Sequence, residues 1–290
     1  MKKYGYCLLF LFSITTNVIC QEKKIKKVKY PESFTAQLDA VYTSIDDWDG
    51  RMDLYYSPKS EKPTPIVIHM HGGGWARGTK ESQGGFNFLF ENGIAVANVE
   101  YRLRDVAKAP AAIEDVRCAL IYILKNAKEL NIDTSRIIFS GGSAGGHLAL
   151  MGGLLGNNKL FDKNCDFKFN FKAAAIINRY GATDISRLMW KGSVRRWLDY
   201  KIDDTKFIAS VSPLSYVSEN SPPVFTIHGD KDEVIPLKQS LLLNRKLKKN
   251  KVKTKLMKVK GGGHGKFSKA IRKDYQDEVI LFLQELNIID

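Results

Sequence analysis

Arg136-Ile-Ile-Phe-Ser-Gly-Gly-Ser143-Ala-Gly-Gly146 is the stretch from which the fold can be read. Ile137, Ile138 and Phe139 form a short apolar run of the kind that makes a buried strand. The run ends on Ser140 and two glycines, and after Ser143-Ala-Gly-Gly the residues His147-Leu-Ala-Leu-Met151 read as a helix. Strand, sharp turn and helix follow one another with Ser143 at the apex. The inner pattern Gly141-x-Ser143-x-Gly145 is that of a nucleophile elbow, in which a strained turn lifts a serine hydroxyl above the end of a sheet. Side chains at the flanking positions would collide with the adjoining strand and helix, so glycines stand there.

Outward from this turn the chain alternates. Ile66-Val-Ile-His-Met70 is a strand that runs into His71-Gly-Gly-Gly-Trp75, and Gly93–Val99 is another that leads to Glu100-Tyr-Arg-Leu103. Pro110 opens a helix reaching about Leu130, with Ile113, Val116, Leu120, Ile121 and Leu124 on its apolar face. Ala173–Asn178, Val224–His228 and Lys253–Val259 read as further strands, Leu237–Lys248 as a basic helix, and Tyr275–Leu286 as the closing helix. Between them Arg187–Ser210 lacks strand character, and Ser193–Tyr200 within it suits an amphipathic helix. Near the start, Val41–Ser44 and Met52–Tyr56 flank Asp49-Gly50, a hairpin turn signal. Strands alternating with helices from residue 66 onward predict a mainly parallel sheet covered on both faces, a fold of the α/β class. In such sheets the functional groups gather at the carboxyl ends of the strands. Ser143, the His71 loop, the Gly229–Glu233 loop and His264 all follow strands, so one edge should collect them.

The residue types at that edge suit acyl transfer. A serine hydroxyl needs a base within hydrogen-bond reach, and the base needs an orienting acid. His264, in Gly261-Gly-Gly-His264, is the candidate base. Three carboxylates compete for the acid position in His228-Gly-Asp-Lys-Asp-Glu233. Asp232 is placed first, because it lies well inside the loop; Asp230 comes second and Glu233 third. Serine, acid and histidine then occur in the chain order expected after a nucleophile elbow. The glycines of His71–Trp75 allow backbone N–H groups to approach a reacting carbonyl, and Gly73 and Gly74 are assigned with Ala144 as oxyanion donors, with Trp75 as the alternative one position on. His71 is expected to brace this loop. No cofactor or metal is needed for chemistry of this kind.

Together and in order, His71-Gly-Gly-Gly-Trp75, Tyr101-Arg-Leu103, Pro110-Ala-Ala-Ile-Glu-Asp115, Gly141-Gly-Ser-Ala-Gly-Gly146, Tyr180-Gly-x-x-Asp184, His228-Gly-x-x-Asp232 and Gly263-His264 resemble the α/β-hydrolase superfamily. Within it the chain is similar to carboxylesterases related to hormone-sensitive lipase and to bacterial feruloyl and acetyl-xylan esterases, over roughly residues 40–288. The resemblance implies an α/β-hydrolase fold with a small lid insertion at Arg187–Ser210, and a serine esterase acting through Ser143, Asp232 and His264. Gly142 stands where many lipase-like relatives have Asp, and no large cap precedes the sheet. The first departure favours the polysaccharide-esterase branch over the lipid-esterase branch, so a small ester or acylated polysaccharide is the expected substrate, and the second implies a fairly open site. Trp75, Trp190, Trp197 and Tyr180 are then candidates for an aromatic sugar platform, with packing as their competing role. Similarity also extends to arylformamidases and to the catalytic domain of prolyl-oligopeptidase relatives, which gives amide hydrolysis as an alternative. An inactive binding protein is a third reading, though the serine, acid and histidine are all kept.

Composition and address fit an exported globular protein. With 290 residues and 44% hydrophobic residues the chain can bury a large core. Lys2 and Lys3 precede the apolar Cys7–Phe12, and modest residues at Val18 and Cys20 precede Gln21. This predicts a signal peptide over 1–20 and one catalytic domain over 21–290. The apolar part is too short to predict stable membrane insertion, and bulky Ile19 disfavours lipid attachment at Cys20. The net charge of +14 is spread along the chain, with dense runs at 23–29 and 245–260, and no motif for nucleic acid accompanies it. Cys118 and Cys165 remain after cleavage and could pair, although their spacing alone does not establish it.

Overall fold

The computed structural model describes residues 28–165 and 170–290; the expected signal peptide and Cys20 lie outside the described residues. The strands are β1 (Thr35–Ile45), β2 (Trp48–Tyr56), β3 (Thr64–Met70), β4 (Ala95–Val99), β5 (Ile132–Gly142), β6 (Ala175–Arg179), β7 (Val224–Gly229) and β8 (Thr254–Val259). They form an eight-stranded sheet in the order β1-β2-β4-β3-β5-β6-β7-β8. β1 and β2 pair antiparallel, as do β2 and β4, and every pair from β4 to β8 is parallel. The helices are α1 (Asn87–Phe90), α2 (Ala111–Asn126), α3 (Ala144–Leu154), α4 (Gly192–Leu198), α5 (Thr205–Ser210), α6 (Lys238–Lys249) and α7 (Lys269–Gln284).

Side-chain alternation along the parallel strands sorts the apolar residues into two cores. Ile66, Ile68, Met70, Ile137, Phe139 and Ile176 face the layer that holds α2, α3, α4 and α6. Val67, Ile138, Ala175, Ile177, Phe225 and Ile227 face the layer of α1 and α7. Because both faces are covered, these strands read as unbroken apolar runs instead of alternating ones.

The turn of the first hairpin differs from the sequence expectation. Ile45 pairs with Trp48, so the chain reverses at Asp46-Asp47, and Asp46 takes the left-handed conformation at φ 51°. Asp49-Gly50 lies inside β2, where Gly50 pairs with Thr43. A Cβ at Gly50 would lie 2.6 Å from the Tyr42 ring, so that glycine makes room for a side chain instead of making a turn. The closing helix also starts earlier than expected, at Lys269, with the Ser268 hydroxyl accepting from the Ile271 N–H as N-cap.

Two of the sequence motifs act as fasteners. After β4, Arg102 forms ion pairs with Glu114 and Asp115 of α2, and its own N–H donates to Asp115 Oδ2 at 2.7 Å. Cys118 and Cys165 form a disulfide with Cα atoms 5.4 Å apart, joining α2 to the segment ahead of β6.

Candidate active site

β5 delivers Ser143 into a turn with φ 58° and ψ −121°, a conformation that few non-glycine residues adopt. The turn is fixed by close backbone approach. A Cβ on Gly145 would lie 2.2 Å from the Met70 carbonyl oxygen, and one on Gly141 would lie 2.3 Å from that of Gly145. The Ser143 N–H donates to the Arg179 carbonyl at 2.9 Å, which ties the apex to the end of β6.

The loop after β8 brings His264 onto the serine. His264 Nδ1 lies 2.7 Å from Asp232 Oδ2, and Nε2 lies 2.8 Å from Ser143 Oγ. A carboxylate accepts, so Nδ1 carries the proton, and the free Nε2 lone pair faces the serine O–H. Asp232 has a fully buried carboxylate, and it also accepts from the N–H groups of Val234 and Ile235 at 2.8 and 2.9 Å. His228 Nε2 donates to the Ile235 carbonyl at 2.8 Å and stands 3.2 Å from Asp232 Oδ2. Burial alone would raise the carboxyl's pKa, but hydrogen bonds from His228, His264 and Ile235 outweigh it and hold Asp232 well below the usual carboxylate range. The role of His228 carried no sequence signal beyond its place in the His-Gly-x-x-Asp motif.

The structure separates the three carboxylates of that loop. Asp230 is exposed and accepts the Gly261 N–H at 2.7 Å, shaping the histidine loop without touching His264. Glu233 is exposed, and its carbonyl accepts from Lys191 of the segment ahead of α4 at 2.7 Å.

The glycine run after β3 lies against the elbow. A Cβ on Gly72 would come within 3.4 Å of the Ser143 Cβ. Gly73 and Gly74 have φ of 128° and 64°, and a Cβ on Gly73 would meet the Arg77 carbonyl at 1.8 Å. Trp75 follows with φ 56°. The N–H groups of Gly73, Gly74 and Ala144 donate to no described residue. His71 braces the run: its ring is buried, donates from Nδ1 to the Gly72 carbonyl at 2.8 Å, and stacks on Tyr101 at 4.3 Å. Burial lowers its pKa.

The four aromatic residues considered for a platform divide. Trp75 and Trp197 are buried and stacked on each other at 4.4 Å, with His147 edge-on to both. They anchor α4 to the glycine loop and offer no face to a sugar. Trp190 is exposed beneath Lys191. Tyr180 is half-buried and meets His264 edge-on, with ring centroids 4.8 Å apart. Among the described residues no group of His, Cys, Asp and Glu side chains is arranged to hold a metal ion.

A mostly parallel eight-stranded sheet with a strained serine between strand and helix defines an α/β-hydrolase. The chain belongs to the BD-FAE family, whose profile matches residues 52–247. It is 27% identical over 215 residues to the esterase LipC of Mycobacterium tuberculosis, covering 70% of this chain and 53% of that protein. It is 37% identical over 119 residues to an arylesterase of Saccharolobus solfataricus, covering 40% of this chain and 39% of that protein. The chain spans about half the length of the first curated relatives it matches. Among solved structures, a thermophilic esterase of Thermogutta terrifontis superposes with a TM-score of 0.75 at 25% identity, over 92% of this chain and 98% of that one. An acetyl ester-xyloside bifunctional hydrolase from Caldicellulosiruptor lactoaceticus superposes with a TM-score of 0.72 at 27% identity, over 84% of this chain and 90% of that one.

Proposed function

We propose that this protein is an exported serine esterase that removes acetyl or feruloyl groups from polysaccharide. The observation that carries the reading is the unbroken chain from Ser143 Oγ through His264 to Asp232, at 2.8 and 2.7 Å. In this reading Ser143 attacks the ester carbonyl while His264 Nε2 takes its proton. Asp232 stabilises the imidazolium that forms. The oxyanion is met by N–H groups of Gly73, Gly74 and Ala144, with Trp75 as the neighbouring alternative, and losing one such donor costs about 3 kcal/mol of transition-state stabilisation. His264 then returns the proton to the leaving alcohol. Water, activated by the same histidine, releases the acid from the acyl-enzyme.

Membership of the BD-FAE family and the likeness to an acetyl ester-xyloside hydrolase support the polysaccharide ester. Export is supported by the Lys-rich start and short apolar run of residues 1–20, and a disulfide suits an oxidising compartment. The test sets p-nitrophenyl acetate, butyrate and octanoate beside acetylated xylan and methyl ferulate, with Ser143→Ala as blank. Acetate or ferulate release from the latter pair supports the reading. Octanoate preference with no release from either would overturn the polysaccharide assignment. Export is checked by N-terminal sequencing of the secreted chain, which should begin at Gln21.

A further inference from the structure

A cavity of about 760 Å³ lies on the α1/α7 face of the sheet. Strand alternation explains its floor. His69, Ser140, Arg179 and Ile227 continue the rows of Val67, Ile138, Ile177 and Phe225, at the carboxyl ends of β3, β5, β6 and β7. Register sets His69 opposite Ser140 and Arg179 opposite Ile227. Where the core residues below fill their face with hydrocarbon, this last row leaves a hollow roofed by α7 and by the segment that leads into α1.

The chemistry of the hollow is one-sided. Arg179 Nε is buried and donates to no described residue, and no described residue forms an ion pair with this guanidinium. Lys269 and Arg272 stand at the exposed rim with Lys273, which is paired with Asp277, and no carboxylate lines the cavity itself. Phe86, Phe267, Tyr180 and Tyr275 supply aromatic walls. His69 adds no charge of its own: burial, and then the nearby Arg179, push it down to about 3. Arg179 is half-buried, but its Nε–H is shut off from solvent; an unpaired donor there is costly, and an anion that accepts from it removes that cost. Flat aromatic walls favour a flat apolar body behind the anionic group.

We propose that this cavity is a binding site for a small aryl carboxylate, with the carboxylate on Arg179 and the ring among Phe86, Phe267 and Tyr275. The site is separate from the Ser143 hydroxyl and adjoins it through Tyr180, which lines the cavity and also packs against His264. The assignment rests on the cavity's own lining and stands apart from the ester reading.

Calorimetry on the full chain tests it with cinnamate and with the neutral isostere cinnamamide. The wild type should bind cinnamate at least tenfold more tightly than cinnamamide, and Arg179→Gln should weaken cinnamate binding at least tenfold. Arg179 also holds the Ser143 N–H through its carbonyl, so Arg272→Glu at the rim provides a second variant. It should weaken binding at least threefold, and it decides the matter if Arg179→Gln fails to fold. Protein with Ser143 covalently blocked by a fluorophosphonate should bind cinnamate with unchanged affinity. No heat with cinnamate, equal affinity for the amide, unchanged affinity in the folded variants, or loss of binding on blocking Ser143 would each overturn the proposal. None of these readings needs turnover, so failure of the esterase reading is seen separately.

Discussion

Asp232 accepts two backbone N–H groups and the His264 Nδ1–H at once, and His228 stands beside it. These contacts fix which imidazole nitrogen carries the proton. In Asp232→Asn the amide can donate to Nδ1, which moves the ring proton to Nε2 and leaves no lone pair for the serine. We expect kcat on p-nitrophenyl acetate to fall about 10⁴-fold in Asp232→Asn, and about 10⁶-fold in Ser143→Ala or His264→Ala. Asp230→Asn keeps an oxygen for the Gly261 N–H and should stay within about threefold of wild type. A large loss in Asp230→Asn beside a small one in Asp232→Asn would remove Asp232 from the orienting role. The choice among these carboxylates was legible only as loop position. Three acids within four residues look alike in sequence, and what separates them is which one turns inward beneath the histidine.

At the scale of elements, the parallel strands were legible because burial on both faces leaves continuous β-branched runs such as Ile66-Val-Ile. The first hairpin was misread because Asp-Gly is a turn signal only where a turn is wanted. Gly50 is needed for contact with Tyr42, and Asp46 supplies the left-handed residue instead. The first two turns of α7 were missed because Lys269–Asp274 carries only the adjacent apolar pair Ala270 and Ile271, and so shows no periodicity. The Arg187–Ser210 segment was recognised as an insertion, but its attachment was hidden. Trp197 stacks on Trp75 from a distant loop, a contact with no local trace in sequence. Trp197→Ala should destabilise the fold by about 3–5 kcal/mol in urea unfolding, because a large buried side chain is lost and its cavity remains. A change below 1 kcal/mol would mean that the insertion is not anchored through this residue.

For the whole molecule, buried histidines contribute to the response to acid. His147 donates from Nε2 to the Val211 carbonyl at 2.8 Å, its Nδ1 has no partner, and burial pushes it down to about 4. The folded state holds it neutral, whereas the unfolded chain protonates it below pH about 6.5. Its contribution is therefore complete above that pH and is lost as pH falls towards 4. Linkage gives a loss of about 2–3 kcal/mol between neutrality and pH 4.5. His147→Gln keeps a donor for Val211 and should flatten the slope of unfolding free energy against pH over this range. An unchanged slope would show that the ring protonates without opening the core.

The Cys118–Cys165 bridge closes a covalent ring, and the arc it encloses is not arbitrary. β5, the Ser143 turn and α3 all lie between the two cysteines, within the 47-residue separation. Asp232 and His264 lie outside it. A protease that cuts the arc once, for instance in the polar stretch 156–164, therefore opens the ring without dividing the molecule. The serine's strand and helix stay tethered to the part that carries its acid and base, and only a reductant lets the two pieces come apart. If the proposed export holds, the bridge would act among foreign proteases as a tether against nicking as well as a clamp on the fold.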